Sequence, residues 1–498
     1  MKAHVLTLLL TSLGIVASAG NMATAKPNIL WIIAEDMGPD LACYGRTDLA
    51  TPNLDRLAAQ GCRYTRAFSS APICSAARSG LMTGAYPTSF GANNHRSNRQ
   101  RGAAGLPPNV KLLCDRFRAA GYFTANITRF PAGTDLEGKG KTDWNFAYPG
   151  REFDTADWQD LKSHQPFFAQ VNLPEAHRVY HKDTANPVDP AKVALPPYLA
   201  DHPLVREDWA AYLDAIQILD TKVGKILDLL QAQGLADTTI VMFIGDNGRE
   251  DFRGKYQLFE QGCSVPLLVR APGIVAPGSV SGDLISGVDI AATSLSLTGI
   301  ELPEGFDGKP FLGPHRQRRE YLFTALDRID ENFDQLRAVR DARWKYVRNF
   351  EPDRPYLQPS AYRSTTNPTF LLMQKLHAEG KLNAAQQQFL ASSRPAEALY
   401  DLEADPYEFN NLAALPQYAG ELKRLRSELD AWMQHCGDKP GRTESKESEE
   451  FSLKKYAASR PGVFAQNIDE LRQQYRNLSE IEPMLRDAKA AAGSSAKQ

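Results

Sequence analysis

The chain of 498 residues carries 57 basic and 59 acidic side chains, a formal net charge of −2, so charge alone draws it neither to nucleic acid nor to an anionic membrane. A hydrophobic content of 43% supports a large core, and the length predicts more than one domain. Six cysteines without a C-x-x-C pair or regular spacing suggest neither a disulfide scaffold nor a zinc site, and individual pairing stays open; Cys114 reads as a small buried hydrophobe.

The chain opens MKAHVLTLLLTSLGIVASAG, with Lys2, an apolar run from Val5 to Val16 and the small-residue pattern Ala17-Ser18-Ala19. That is a signal-peptide pattern, and its apolar run is shorter than the roughly 20 residues a bilayer core demands. Cleavage there, or after Ala23-Thr24-Ala25, predicts a periplasmic or secreted protein opening near Lys26, without stable membrane insertion. Next, PNILWIIAED places a β-rich apolar core, Ile29 to Ile33, before Glu35-Asp36, as in a strand buried on both faces. TPNLDRLAAQG and KLLCDRFRAAG read as helices with Gly stops, YFTANI and QPFFAQVNL as strands. In VREDWAAYLDAIQILDTKVGKILDLLQAQG the apolar residues recur every three or four positions, as in a long amphipathic helix. TTIVMFIGDNG is a second buried strand ending in an acidic pair, Asp246-Asn247, and VPLLVRAP a further short strand.

This alternation predicts an α/β fold, a mostly parallel, mixed sheet sandwiched by helices. Composition changes at GPHRQRRE, so residues 26–318 are expected to form the large domain and 319–436 a smaller α+β domain with an antiparallel sheet. Residues 1–25 are the signal segment and 437–498 a charged, partly disordered tail. Ligands of open α/β sheets collect at the carboxyl ends of strands, which brings Glu35, Asp36, Asp246 and Asn247 together. Converging carboxylates call for a cation, and an all-oxygen set without His favours Ca2+ over Mg2+. The plainer alternative is that each acidic residue caps a strand or helix.

The segment C-x-A-x-R followed by SGLMTG, Cys74 to Gly84, resembles the signature of the type I, formylglycine-dependent sulfatases of the alkaline-phosphatase-like superfamily. PNILWIIAEDMGPDLACYGR and FIGDNG are similar to that family's two metal segments. GKYQLFEQGCSVPLLV carries the Lys and Glu expected after the second, Lys255 and Glu260, and ALYDLEADPYEFNNLA resembles its C-terminal signature. The resemblance implies that a maturation enzyme oxidises Cys74 to formylglycine (3-oxoalanine) and that one Ca2+ is held by Glu35, Asp36, Cys74, Asp246 and Asn247. It also implies that Arg78 holds the hydrated aldehyde, that Lys255 and Lys141 neutralise sulfate oxygens, and that His177 protonates the leaving oxygen. Four positions depart from the family pattern: Asp143 stands where His is usual, Glu35 for Asp, Ala76 for Pro and Ser264 for Arg. Lys139 competes with Lys141 for the sulfate-binding role.

GAYPTSFGANNHRSNRQRG follows the signature closely, so His95, Arg96 and Arg99 are candidates to bind a sugar carboxylate or second sulfate. The segment ALDRIDENFDQLRAVRDARWKYVRNFEPDRPY resembles a polysaccharide-sulfatase branch, and EAHR a sulfamidase-like one; Arg328 and Arg354 are the arginines that would reach the pocket. The expected function is hydrolysis of sulfate esters on saccharides derived from a sulfated polysaccharide. The alternatives are N-sulfoglucosamine hydrolysis, phosphate or phosphonate ester hydrolysis, and a catalytically silent saccharide-binding protein.

Overall fold

A run that is apolar on both faces fits only the middle of a covered sheet, and that is where the computed structural model places Asn28–Ala34. The structure describes residues 26–98, 105–330, 332–358, 360–441, 444–447, 450, 483 and 484. Residues 1–25, expected to be a signal segment, Arg99 and most of the charged tail lie outside the described residues. The larger sheet consists of β1 (Asn28–Ala34), β2 (Cys62–Phe68), β3 (Phe123–Arg129), β4 (Thr155–Asp157), β5 (Phe167–Leu173), β6 (Thr239–Gly245), β7 (Ser264–Arg270) and β8 (Ser279–Ser286). Their order across the sheet is β4-β3-β5-β1-β6-β7-β2-β8. β7 pairs antiparallel with both β6 and β2, while every other pair is parallel. The reversal of VPLLVRAP puts the start of β7 beside the carboxyl ends of its neighbours.

The helices are α1 (Pro52–Ala59), α2 (Cys74–Thr83), α3 (Leu113–Ala119), α4 (Pro203–Ala232), α5 (Glu260–Cys263), α6 (Gly287–Leu297), α7 (Ala361–Thr366), α8 (Pro368–Ala378), α9 (Ala384–Gln387) and α10 (Ala419–His435). Alternate residues of β1 feed two cores. Leu30 and Ile32 pack with α1, α4 and α8, whereas Ile29, Trp31 and Ile33 pack with α2, α3 and α6. The central strands are thereby packed on both faces, and their carboxyl ends form the floor of the site.

A second, antiparallel sheet, ordered β12-β11-β10-β9, is built from β9 (Leu322–Leu326), β10 (Leu336–Arg340), β11 (Trp344–Asn349) and β12 (Glu397–Asp401). One face buries Val339, Tyr346 and Leu399 under Leu425 and Leu429 of α10. The other packs Leu336 and Ala338 against Ala71, Ile73 and Ala76, the stretch around Cys74. The Ala325 N–H also donates to the Ser70 carbonyl at 3.2 Å, so the small sheet braces that stretch directly. Between β11 and β12 the chain crosses back: Phe370, Leu371, Leu372 and Met373 of α8 join the core around α4. No helix among the described residues is long and apolar enough to cross a membrane.

Candidate active site

β1 and β6 are adjacent and parallel, so the residues that follow them meet. The Asp36 N–H donates to Asp246 Oδ1 at 3.0 Å, and the Asn247 side-chain amide donates to Asp36 Oδ1 at 3.0 Å. Asp36 takes a left-handed conformation, φ 55°, which turns it sharply off the strand end. Gly248 backs so closely on Gln261 that a Cβ would lie 2.1 Å from its carbonyl oxygen, which accounts for the Gly after Asn247. Cys74 opens α2, its Sγ 3.6 Å from Asp36 Oδ1. Ligand atoms of Asp36, Cys74 and Asp246 all lie within 4.8 Å of one another.

Two features of this group fit a bound cation: it concentrates buried carboxylates, and the buried Asn247 Oδ1 has no hydrogen-bond partner. Oxygen donors of this kind suit a hard divalent ion. Glu35 stands beside the group rather than within it, its carboxylate paired with Lys141 and 3.6 Å from His177 Nε2. Burial pushes the Asp36 carboxyl up, but the Lys255 ammonium and the His177 ring outweigh it and hold the group below its ordinary value. Burial dominates at Asp246 and raises it despite Arg78. Burial also pushes the Cys74 thiol up to about 12 against the pull of Lys141 and Lys255, so an unmodified Cys74 is protonated and is no thiolate nucleophile.

Cationic groups surround the carboxylates. Arg78, one turn along α2, gives Nε to Asp246 Oδ2 at 2.9 Å and Nη1 to Asn172 Oδ1, and its buried Nη2 has no hydrogen-bond partner. The Lys255 ammonium donates to Asp36 Oδ2 at 2.7 Å. Lys141 reaches Glu35 and stands 3.5 Å from Asp143, whereas Lys139 is exposed and meets the site only through its backbone N–H on the Asn172 carbonyl. His177 follows β5; Nδ1 pairs with the Arg178 carbonyl at 2.6 Å, which leaves Nε2 facing Glu35 and Asp36. Its side chain is 28% exposed, the most open of the converging groups. Burial lowers its pKa although both carboxylates work to raise it.

The loop after α2 forms a second tier. His95 is buried, with Nδ1 2.8 Å from Ser75 Oγ, next to Cys74. Burial and then Arg96 hold its pKa well below the usual histidine value, so it is neutral. Arg96 forks onto both oxygens of Asp143 at 2.9 Å while its side chain remains 44% exposed. Arg328 does not reach the pocket: its guanidinium is 1% exposed and is taken up by Glu444, the Asp330 carbonyl and Ser97. Arg354 pairs with Glu351 in a turn, and Glu260 serves Arg340 and Lys345 of the small sheet. Ser264 begins β7.

Sequence reasoning passed over Asn172, Ser75 and Glu444. Asn172 had a signal, a polar residue near the end of the apolar strand QPFFAQVNL; Glu444 had none, because its partner Arg328 lies 116 residues away.

The chain resembles known proteins over most of its length. A family model described as Sulfatase matches residues 27–300, and one described as N-sulphoglucosamine sulphohydrolase, C-terminal, matches residues 248–356. An ulvan-active sulfatase of Formosa agariphila is 34% identical over 470 residues, covering 84% of this chain and 77% of that protein. Human N-acetylgalactosamine-6-sulfatase is 31% identical over 335 residues, covering 56% and 64%. Among solved structures, a 2-O GAG sulfatase superposes with a TM-score of 0.60 at 19% identity, over 83% of this chain and 93% of that one. A structure in complex with its substrate D-glucosamine-2-N,6-O-disulfate does so with 0.56 at 16%, over 84% and 100%. The chain belongs to the sulfatase family, whose members are sulfuric ester hydrolases.

Proposed function

We propose that the protein hydrolyses sulfate esters on saccharides cut from a sulfated polysaccharide, using a formylglycine made from Cys74 and one Ca2+ ion. The observation that carries this reading is the meeting of Asp36, Cys74, Arg78, Lys141, His177, Asp246, Asn247 and Lys255 at the strand ends. The named substrates of the relatives support a sugar as the bearer of the sulfate.

A sulfate ester is an anion that repels nucleophiles and leaves behind a poor alkoxide. Lys255, Lys141 and the unpartnered edge of Arg78 supply positive charge where the sulfuryl oxygens gather it in the transition state. His177 Nε2, open to the pocket, donates a proton to the departing sugar oxygen. Asp36, Asp246 and Asn247 Oδ1 would hold the metal, with Glu35 and the oxygen at position 74 completing the expected set. A hydrated aldehyde at position 74 would offer one hydroxyl as nucleophile, whose acidity a cation held by these residues would raise, and a second hydroxyl whose deprotonation would expel sulfate and restore the aldehyde.

Residues 26–318 are the proposed catalytic domain and 319–436 its brace. Export to the periplasm or beyond and modification by a formylglycine-generating enzyme belong to the same reading. The match to the N-sulphoglucosamine sulphohydrolase model favours a second one, cleavage of an S–N bond. Assaying O-sulfated, N-sulfated and phosphorylated sugars side by side separates them: the proposal expects O-sulfate release to be fastest and fails if only saccharide binding is seen. Exhaustive chelation is expected to abolish turnover and added Ca2+ to restore it; turnover that survives chelation contradicts the metal assignment.

A further inference from the structure

Asp438, Gly441 and Glu444, of the charged segment after Gly437, each contact the small sheet or the turn beside it. Asp438, 9% exposed, forks onto the fully buried Arg337, with Oδ1 2.9 Å from Nη2. Gly441 exchanges hydrogen bonds with the Gln335 side chain, at 2.7 Å from its N–H and 3.1 Å to its carbonyl. Glu444 then takes both Nε and Nη2 of Arg328 at 2.5 and 2.7 Å. These contacts step from β10 to the turn after β9, nearest the site.

Arg328 holds the His95 loop from several sides. Its carbonyl accepts the His95 N–H at 2.9 Å, its N–H donates to Asn94 Oδ1 at 3.1 Å, and Nη2 reaches Ser97 Oγ at 3.1 Å. On the other side of the loop, Ser75 Oγ lies 2.8 Å from His95 Nδ1 and accepts the Arg96 N–H at 3.2 Å. A buried guanidinium that loses its carboxylate is an uncompensated charge, and the structure around it must rearrange to hydrate it.

We propose that Glu444 is a positioning residue: by seating Arg328 it fixes residues 94–97, and with them the half-exposed Arg96, which His95 backs from beneath and which meets the sugar beyond the sulfate. The substrate part of this inference rests on the carbohydrate-sulfatase reading; the positioning part does not. Glu444 thus controls affinity for the saccharide rather than the chemistry at sulfur.

The test compares full-length mature protein with Glu444→Ala and Glu444→Gln. Backbone hydrogen exchange at His95 and Arg96 is expected to accelerate about tenfold in Glu444→Ala, with Glu444→Gln intermediate and protection of β1, β5 and β6 unchanged. KM for a sulfated disaccharide is expected to rise about tenfold, with kcat and the turnover of a small aryl sulfate held within about twofold. Unchanged exchange at residues 94–97 overturns the positioning role, and equal losses on both substrates overturn the affinity role. If the wild-type protein releases sulfate from no sugar, the carbohydrate reading fails, while the exchange result still decides whether Glu444 positions the loop.

Discussion

Asp143 occupies the position where the family pattern has a histidine, and its surroundings determine what it does. Burial pushes its carboxyl up, but Arg96, forked onto it, and Lys141 outweigh burial and hold it far below the usual carboxylate range. A carboxylate that stays ionised at every working pH is a weak base and a good anchor for two cations. Asp143→Asn is therefore expected to raise KM and to change kcat by less than about tenfold, where loss of a general acid or base costs about 10²–10⁴. An altered pH–rate profile or a larger loss of kcat would make Asp143 a proton-transfer group instead. At this scale the motif residues were legible because strand ends and a short signature put them in one place. The Arg96–Asp143 and Arg328–Glu444 pairs were not, because a salt bridge between distant loops leaves no periodicity in the sequence.

α4 shows how an element supports the site from behind. Its Asp214 is buried, with Oδ1 accepting the Val188 N–H at 2.7 Å, and burial raises its pKa to about 6. That lies above the unfolded value of about 3.9, so the folded state binds more protons between the two, and stability falls as pH rises through that window. Asp214→Asn keeps an acceptor for Val188 and removes the charge. Melting curves should show it more stable than the parent at about pH 8, with the difference fading near pH 4; an equal shift at both would refute the assignment. Fully buried Leu372 of α8 joins the core that α4 also lines. Leu372→Ala is expected to cost about 2–5 kcal/mol in denaturant unfolding, and a negligible loss would mean that α8 packs only loosely. The period of α4 and the apolar runs of β1 and β6 could be read directly from sequence. The antiparallel direction of β7 could not, since strand polarity depends on connections rather than on local pattern. Nor could α8's return to the large core.

Over the whole molecule, one sheet supplies the carboxylates and the other presses the Cys74 segment against them, through Leu336 and Ala338 on Ala71, Ile73 and Ala76. This explains why Cys74, at the start of a helix flanked by small residues, is 1% exposed in the folded chain. Under the proposed reading, an enzyme that oxidised Cys74 would have to reach it before folding is complete. The central claim is that position 74 becomes an aldehyde, and the tryptic peptide AFSSAPICSAAR, Ala67 to Arg78, isolates it. Mass spectrometry of that peptide from active protein is predicted to show formylglycine in place of cysteine. A uniformly free thiol in protein that still releases sulfate at full rate would contradict the account.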